Sequence, residues 1–312
     1  MNKIEINGIE IAKVIGQPID SNIPVPLELT EICDIESAEF GEDVYYFAAY
    51  DDNVDTVYTA GDSGEVTSNR KSPTGATSLP LIGYQSDLAY VTIQEFQDAK
   101  DQSALARKKA AITRSMDKLD VKRLLDLILG ISGQKVTCIS GEDLYDGILK
   151  MVNKVVDYGD NFILLVGSTV WEKINSYDKD NADNFHYRVG MKELLAANGI
   201  KIVKVTGSTV TLDSGSALPV LAATKAIMVA RDSKINVGGK PCLFVRRKIN
   251  PEVATLLGIE PDKAERLITT LGGLQVINAG KNILGYGVVG YECCVEAVTN
   301  FKAISWSDDL NL

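Results

Sequence analysis

The spacing of apolar positions changes period several times along the chain, and each change marks an element. Residues 3–15, "KIEINGIEIAKVI", alternate as a short hairpin does, with Asn7-Gly8 at the turn, and read equally as an arm that needs a partner to order it. "IPVPLEL" sets Pro24 and Pro26 two apart, a spacing that suits an extended arm and not a helix. Residues 44–50 and 88–93 read as β-strands. Between them lies "TAGDSGEVTSNRKSPTGATSLP", residues 59–80, made almost wholly of Gly, Ser, Thr, Pro, Asn and charge. Polar connections of this length are uncommon inside compact domains and serve binding or stay disordered. The two strands are expected to pair as a long hairpin whose distal half has too little apolar surface to fix it on its own core.

From about Ser103 the period becomes helical. Leu105, Ile112, Met116 and Leu119 share one face, and Val121, Leu124, Leu125 and Ile128 continue it up to Gly130 and Gly133. A helix from Ser103 to Leu129 is about 40 Å long at ~1.5 Å per residue, long enough to act as a spine. Arg107, Lys108, Lys109, Arg114, Lys118, Lys122 and Arg123 decorate the other side. Asp117, Asp120 and Asp126 are interleaved with them, so a solvated face is expected. Further on, "EDLYDGILKMVNKVV", "STVWEKINSY" and "MKELLAANG" read as helices, the second capped by Ser168 and the third closed by Gly199. "NFILLVG", "IKIVKV" and "AIMVAR" read as strands. From Lys240 the tail is β-rich: "PCLFVRRKI", "ERLITTLGGLQVIN" and "YGVVGYECCVEAV" alternate, with "NPEVATLLGIEPDK" as a loop carrying a helical turn. Helices around a sheet followed by strands make an α+β protein.

Composition narrows the function classes. A chain of 312 residues with 45% hydrophobic and 24% charged residues is globular. No apolar run reaches the ~18 residues of a membrane span, and "MNKIEINGIEI" has no signal-peptide pattern, so no membrane partner and a cytoplasmic site of synthesis are expected. A net charge of −10 opposes phosphate at long range and excludes a basic nucleic-acid footprint. The five cysteines, Cys33, Cys138, Cys242, Cys293 and Cys294, contain no CxxC, so neither a disulfide framework nor a zinc knuckle is indicated. The adjacent Cys293 and Cys294 read as small buried fillers. His186 is the only histidine, which removes His-rich metal sites and weakens any triad. No phosphate loop, dinucleotide fingerprint, HExxH, GxSxG or EF-hand pattern occurs. Acidic pairs such as Asp51-Asp52 and Asp308-Asp309 read as solvated surface. No catalytic residue, cofactor or metal is expected, and the weight moves from enzyme to structural protein.

The order of arm, long polar hairpin, long helix, α+β domain and β-rich tail resembles the major capsid protein of tailed phages, the Hong Kong 97 type fold. The stretches that carry the resemblance are "LAYVTIQEFQDAKDQSALARKKAAITRSMDKLD", "NFILLVGSTVWEKI" and "GYGVVGYECCVEAVTNFKAI". The resemblance implies an N-terminal arm (1–43), an extended β-hairpin loop (44–93) and a peripheral domain with the spine helix (94–137). It further implies an axial domain (138–239), a return to the peripheral domain (240–292) and a C-terminal strand going back to the axial domain (293–312). It implies self-assembly into pentamers and hexamers of an icosahedral shell that encloses double-stranded DNA without sequence-specific binding. The chain would be located in the virion capsid and assembled in the host cytoplasm. A separate scaffolding protein, a portal and a decoration protein are the implied partners. The polar excursion would lie across a neighbouring subunit, with Asp62, Glu65, Arg70, Lys71, Arg107 and Arg114 as inter-subunit contact candidates. Some capsids of this fold join a loop Lys to a neighbour's Asn beside a Glu. Lys71, Asn250 and Glu252 have the residue types, but such residues are common in loops and no cross-link is expected. Two alternatives remain open: an encapsulin-type compartment of the same fold, and an α+β enzyme with an unrecognised carboxylate site.

Overall fold

The computed structural model describes residues 5–6, 9–10, 25–46, 77–98, 103–139, 141–180, 190–212, 215–233, 239–256, 265–278 and 283–310. Two sheets dominate them. The first has six strands: β3 (Cys33–Ala38), β13 (Cys242–Arg247), β15 (Ile283–Val298) and β14 (Arg266–Asn278) in one path, with β6 (Ile82–Gln85) and β7 (Ala89–Thr92) on the opposite edge of β15. The second has four strands in the order β16 (Ile304–Ser307), β12 (Ala226–Ser233), β8 (Gly159–Val166) and β9 (Ile200–Lys204). Short pairs complete the strands: β1 (Glu5–Ile6) with β2 (Ile9–Glu10), β4 (Val44–Tyr46) with β5 (Thr77–Leu79), and β10 (Thr209–Val210) with β11 (Leu218–Pro219).

The helices are α1 (Leu27–Ile32), α2 (Ile93–Asp98), α3 (Ser103–Leu129), α4 (Leu144–Val155), α5 (Ser168–Asp180), α6 (Met191–Ala197) and α7 (Pro251–Leu256). Helix α3 joins the two sheets. Its first half, through Leu105, Ile112 and Met116, packs on Val91, Ile268 and Val288 of the six-stranded sheet. Its second half, through Val121, Leu124, Leu125 and Ile128, enters a core that holds Phe244 and Cys294 from that sheet and Ile163, Leu165, Ile227 and Trp306 from the other. Close approach needs a residue without a side chain: a Cβ on Gly290 of β15 would lie 2.6 Å from both Ile112 Cγ2 and Met116 Sδ. At the far end, Trp306 Nε1 donates to the Ile131 carbonyl at 2.9 Å, which holds the end of α3 against β16. The opposite face of the four-stranded sheet is covered by α4, α5 and α6 through Ile148, Met151, Val170, Ile174 and Leu195. Helix α4 starts on a reciprocal cap, with Asp143 accepting from Asp146 N at 2.9 Å.

Three expectations change. First, the strand at residue 44 pairs with β5, in the register Val44↔Leu79, and not with residues 88–93. The latter belong to β7, on β15. The excursion is therefore closed earlier than its flanking apolar pattern suggests, and residues 47–76 lie outside the described residues. Second, the segment after Pro26 is regular helix and strand and not an extended stretch. Helix α1 starts at Leu27, directly after the proline that would be excluded only from its interior. Lys240 Nζ donates to the Thr30 carbonyl at 2.6 Å and the Cys33 carbonyl at 3.0 Å at the helix end. Strand β3 then runs parallel to β13 from Cys33↔Cys242 to Ala38↔Arg247. Third, β15 is unbroken through residue 293, and the crossing to the four-stranded sheet comes after Val298. Among the described residues, no helix is long and apolar enough to cross a membrane.

Candidate functional site

The strongest concentration of chemistry is buried where α3 crosses β13, β14 and β15. Asp120 faces the sheet from α3, while Arg246, Arg266 and Glu292 point at the helix from three neighbouring strands. All four side chains are at most 1% exposed. Arg266 is the hub. Its Nε donates to Glu292 Oε2 at 2.6 Å, its NH2 to Asp120 Oδ2 at 2.7 Å, and its NH1 to Asp117 Oδ1 at 2.5 Å at the half-buried margin. Arg246 NH2 donates to Asp120 Oδ2 at 3.1 Å, and its Nε lies 3.6 Å from Glu292 Oε2. One turn along α3, Arg123 pairs with the buried Glu296 at 2.7 Å, lies 4.0 Å over the Tyr84 ring and donates to Cys294 Sγ at 3.3 Å.

Burial governs the proton affinities. It pushes the Asp120 carboxyl well above its usual range, with the Glu292 charge adding to it and Arg266 and Arg246 pulling back. Burial works against the Arg266 charge, but Glu292 and Asp120 outweigh it and hold the guanidinium protonated. Glu296 is pushed up to about 7 by burial, against the pull of Arg123. Burial also raises the Cys294 thiol, and Asp120 and Glu292 add to that shift. A thiol held neutral in this way is a poor nucleophile.

Asp120, Glu292 and Cys294 bring ligand-type atoms within 4.8 Å of one another. Two guanidiniums already sit on the two carboxylates, so a divalent cation would have to displace buried arginines. The arrangement is an ion network that fixes the helix to the sheet, and it offers no open position for a substrate.

The residues singled out from sequence fall elsewhere. Arg107 and Arg114 are exposed on the first half of α3, and Arg114 Nε donates to Ala110 O of its own helix at 3.2 Å. Asp62, Glu65, Arg70 and Lys71 lie outside the described residues, as do His186 and Asp51-Asp52. Asn250 Oδ1 accepts from Glu252 N at 2.9 Å, so this amide is engaged at the start of α7. Asp308 pairs with Lys135 and, at 3.0 Å, with Lys225. Cys293 and Cys294 are buried on successive positions of β15 as expected. Asp120 and Arg123, expected on a solvated face, instead turn toward the sheet. A signal was available in hindsight, since Asp120 falls between Met116 and Leu124 on the apolar face.

A second feature is an open groove of about 510 Å³ lined by Leu79, Leu127, Ile131, Glu296, Ala297, Val298 and Phe301. It is mostly apolar, and Leu127 and Phe301 stand 46% and 49% exposed.

No protein-family model matches the chain, and no curated protein matches it. Solved structures do. A virus-like particle protein from Pyrococcus furiosus superposes with a TM-score of 0.51 at 14% identity, over 89% of this chain and 91% of that one. The SrpI encapsulin of Synechococcus elongatus PCC 7942 gives 0.51 at 11% identity, over 99% and 98%. The capsid protein of cyanophage P-SCSP1u gives 0.51 at 9% identity, over 97% and 96%. The likeness runs over nearly the whole of each chain, so it concerns both sheets and the helix between them and not a shared fragment. The chain has the Hong Kong 97 type fold of phage capsid and encapsulin shell proteins.

Proposed function

We propose that this chain is the repeated subunit of a closed protein shell, a major capsid protein that assembles into pentamers and hexamers around double-stranded DNA. The observation that carries the reading is the end-to-end likeness to proteins described as a virus-like particle, an encapsulin complex and a capsid. In this reading α3 is the spine of a peripheral part built on the six-stranded sheet. The four-stranded sheet and its helices form the axial part around each capsomer centre. Residues 47–76 reach a neighbouring subunit, and Asp62, Glu65, Arg70 and Lys71 meet its surface. The net charge of −10 suits a wall that confines DNA without adhering to it. The buried ion network keeps spine and sheet in one orientation, as a subunit that tiles a shell requires. Scaffolding, portal and decoration proteins are the partners such a shell would use.

A second reading, an encapsulin-type compartment, is favoured by the SrpI encapsulin, which superposes as well as the cyanophage capsid does. Two measurements on the protein recovered from its own source separate these readings from each other and from an enzyme. Sedimentation gives particle or capsomer size for a shell and a small oligomer for an enzyme. Nuclease-protected DNA inside the particles selects the capsid, and an enclosed protein cargo without DNA selects the compartment.

A further inference from the structure

Cys33 and Cys242 lie far apart in the sequence and side by side in the sheet. Cys33 opens β3, Cys242 opens β13, and the two are direct partners in the parallel register. Directly paired residues of neighbouring strands put their side chains on one face, and the strands run about 4.8 Å apart. That separation falls within the roughly 4.4–6.8 Å between Cα atoms that a disulfide spans. Both residues are free thiols and fully buried in one core with Leu29 and Phe244. The Cys33 thiol is in hydrogen-bonding contact with the Cys242 thiol.

The backbone around the pair is fixed on both strands. The Cys33 N–H donates to the Leu29 carbonyl where α1 ends, and its own carbonyl accepts from Lys240 Nζ at 3.0 Å. Beside Cys242, the Pro241 carbonyl accepts from Thr299 N at 2.9 Å and from Asn300 N at 3.0 Å. The other cysteines sit differently. Arg123 donates to Cys294 Sγ at 3.3 Å, and this thiol faces Asp120. Cys293, next to it on β15, points to the opposite face of the sheet. Cys138 lies against Gly147 of α4, beside the other core.

The position of the pair also decides how it is reached. Strand β3 ends the path β14-β15-β13-β3 and pairs with β13 alone among the described residues. Each cysteine is the first residue of its strand, so opening this one corner uncovers both sulfurs while the rest of the sheet stays paired. Local openings of that kind cost less than global unfolding. In the closed state, burial and the neighbouring Cys242 push the Cys33 thiol well above its ordinary range. A neutral thiol is a poor nucleophile, so the closed pair reacts slowly.

We propose that Cys33 and Cys242 are a redox pair that closes to an intrachain disulfide when the protein meets a peroxide. One thiolate attacks a peroxide oxygen, the O–O bond breaks, and a sulfenic acid and hydroxide result. The second sulfur then attacks the sulfenic sulfur, the S–S bond forms, and the hydroxyl leaves as water. The two thiols are oxidised by two electrons, and one hydrogen peroxide is reduced to two waters. The bond ties α1 and the edge strand β3 to the interior strand β13. It closes a long stretch of chain, the case in which a cross-link restricts the unfolded state most. A reducing cytosol keeps such a pair open, and an oxidising exterior closes it. The bond forms within one subunit and does not depend on assembly.

The test treats the purified full chain with hydrogen peroxide, alkylates the remaining thiols in denaturant and maps the product by non-reducing proteolysis and mass spectrometry. The expected result is loss of two of the five thiols. One linked peptide pair should carry Cys33 and Cys242, be lighter by two hydrogens than its reduced components, and separate in dithiothreitol. Oxidised wild type should melt at a higher temperature than the reduced form. That difference should vanish in Cys33→Ala and in Cys242→Ala and persist in Cys138→Ser. If either alanine variant fails to fold, the linked peptide in wild type decides. Five free thiols after treatment, links among other cysteines, or Cys33 and Cys242 recovered separately as sulfinic acids would overturn the pair. An oxidised form that melts no higher than the reduced one would overturn the clamp.

Discussion

Arg266 is the residue on which the junction between helix α3 and the six-stranded sheet depends. Its guanidinium reaches Glu292 at 2.6 Å, Asp120 at 2.7 Å and Asp117 at 2.5 Å, and the side chain is 1% exposed. In the Arg266→Met variant, Asp120 and Glu292 are left to share Arg246, so two buried carboxylates face one cation. Breaking a buried pair by removing one partner costs about 3–5 kcal/mol, and for a chain of this size that lowers the Tm by on the order of 10 °C. The sign of the pH effect follows from the same geometry. Burial and Glu292 already hold the Asp120 carboxyl above its usual range, and loss of Arg266 removes the first of the cations that pull it back. The variant's deficit should therefore shrink as pH falls and Asp120 takes up a proton. Urea unfolding of wild type and variant at pH 5 and pH 8 measures both effects. Replacing all four buried charges together, Arg246→Met, Arg266→Met, Asp120→Leu and Glu292→Leu, should cost far less than the single change, because burying an ion pair repays little of its desolvation. A loss below about 1 kcal/mol for Arg266→Met, the range of exposed pairs, or a loss that does not depend on pH, would refute the network's role.

Four other outcomes are expected. Glu296, with a folded-state pKa of about 7 against an ordinary 4.5, binds its proton more tightly in the native state, so its contribution is fully present below about pH 4.5 and is lost as pH rises to about 7. Unfolding curves should show stability falling across that window, and Glu296→Gln should flatten the slope. Gly290→Ala should destabilise by about 1–3 kcal/mol through overpacking against Ile112 and Met116, read by thermal unfolding; an unchanged Tm would contradict the close helix–strand contact. Deleting residues 61–75 should leave the unfolding midpoint nearly unchanged, since loop length costs little, and should abolish particles in electron micrographs; normal particles would show that the excursion is not an assembly element. Isolated subunits should bind short DNA duplexes weakly, without sequence preference and with affinity fading steeply in salt. Sub-micromolar, sequence-dependent binding at physiological salt would reopen a nucleic-acid role.

The local elements were legible because their signals are local. Helix α3 begins at Ser103 and ends at Leu129 as its apolar spacing and Gly130 indicate, and the strands of the β-rich tail fall on the alternating stretches. Pairing was not legible. "TSL" at residues 77–79 is short and polar, while residues 88–93 have the stronger strand pattern, yet the first closes on Val44 and the second goes to β15. Nothing in a strand's own composition names its partner. The ion network was hidden for a related reason. Arg246, Arg266 and Glu292 occupy ordinary alternating strand positions, and Asp120 stands among seven basic neighbours on its helix, so each reads alone as surface charge. Only the crossing of α3 over three strands makes them a buried set. Pro24 and Pro26 misled because proline forbids a helix interior and not a helix that starts at the next residue.

Electron cryomicroscopy of the full chain, purified at native concentration, tests the shell reading most directly. The expected result is closed icosahedral particles with five-fold and six-fold capsomers, in which the four-stranded sheet surrounds each capsomer centre and helix α3 runs along the outer part of every subunit. A monomer or small oligomer under all assembly conditions, including those with co-expressed neighbouring genes, would contradict it.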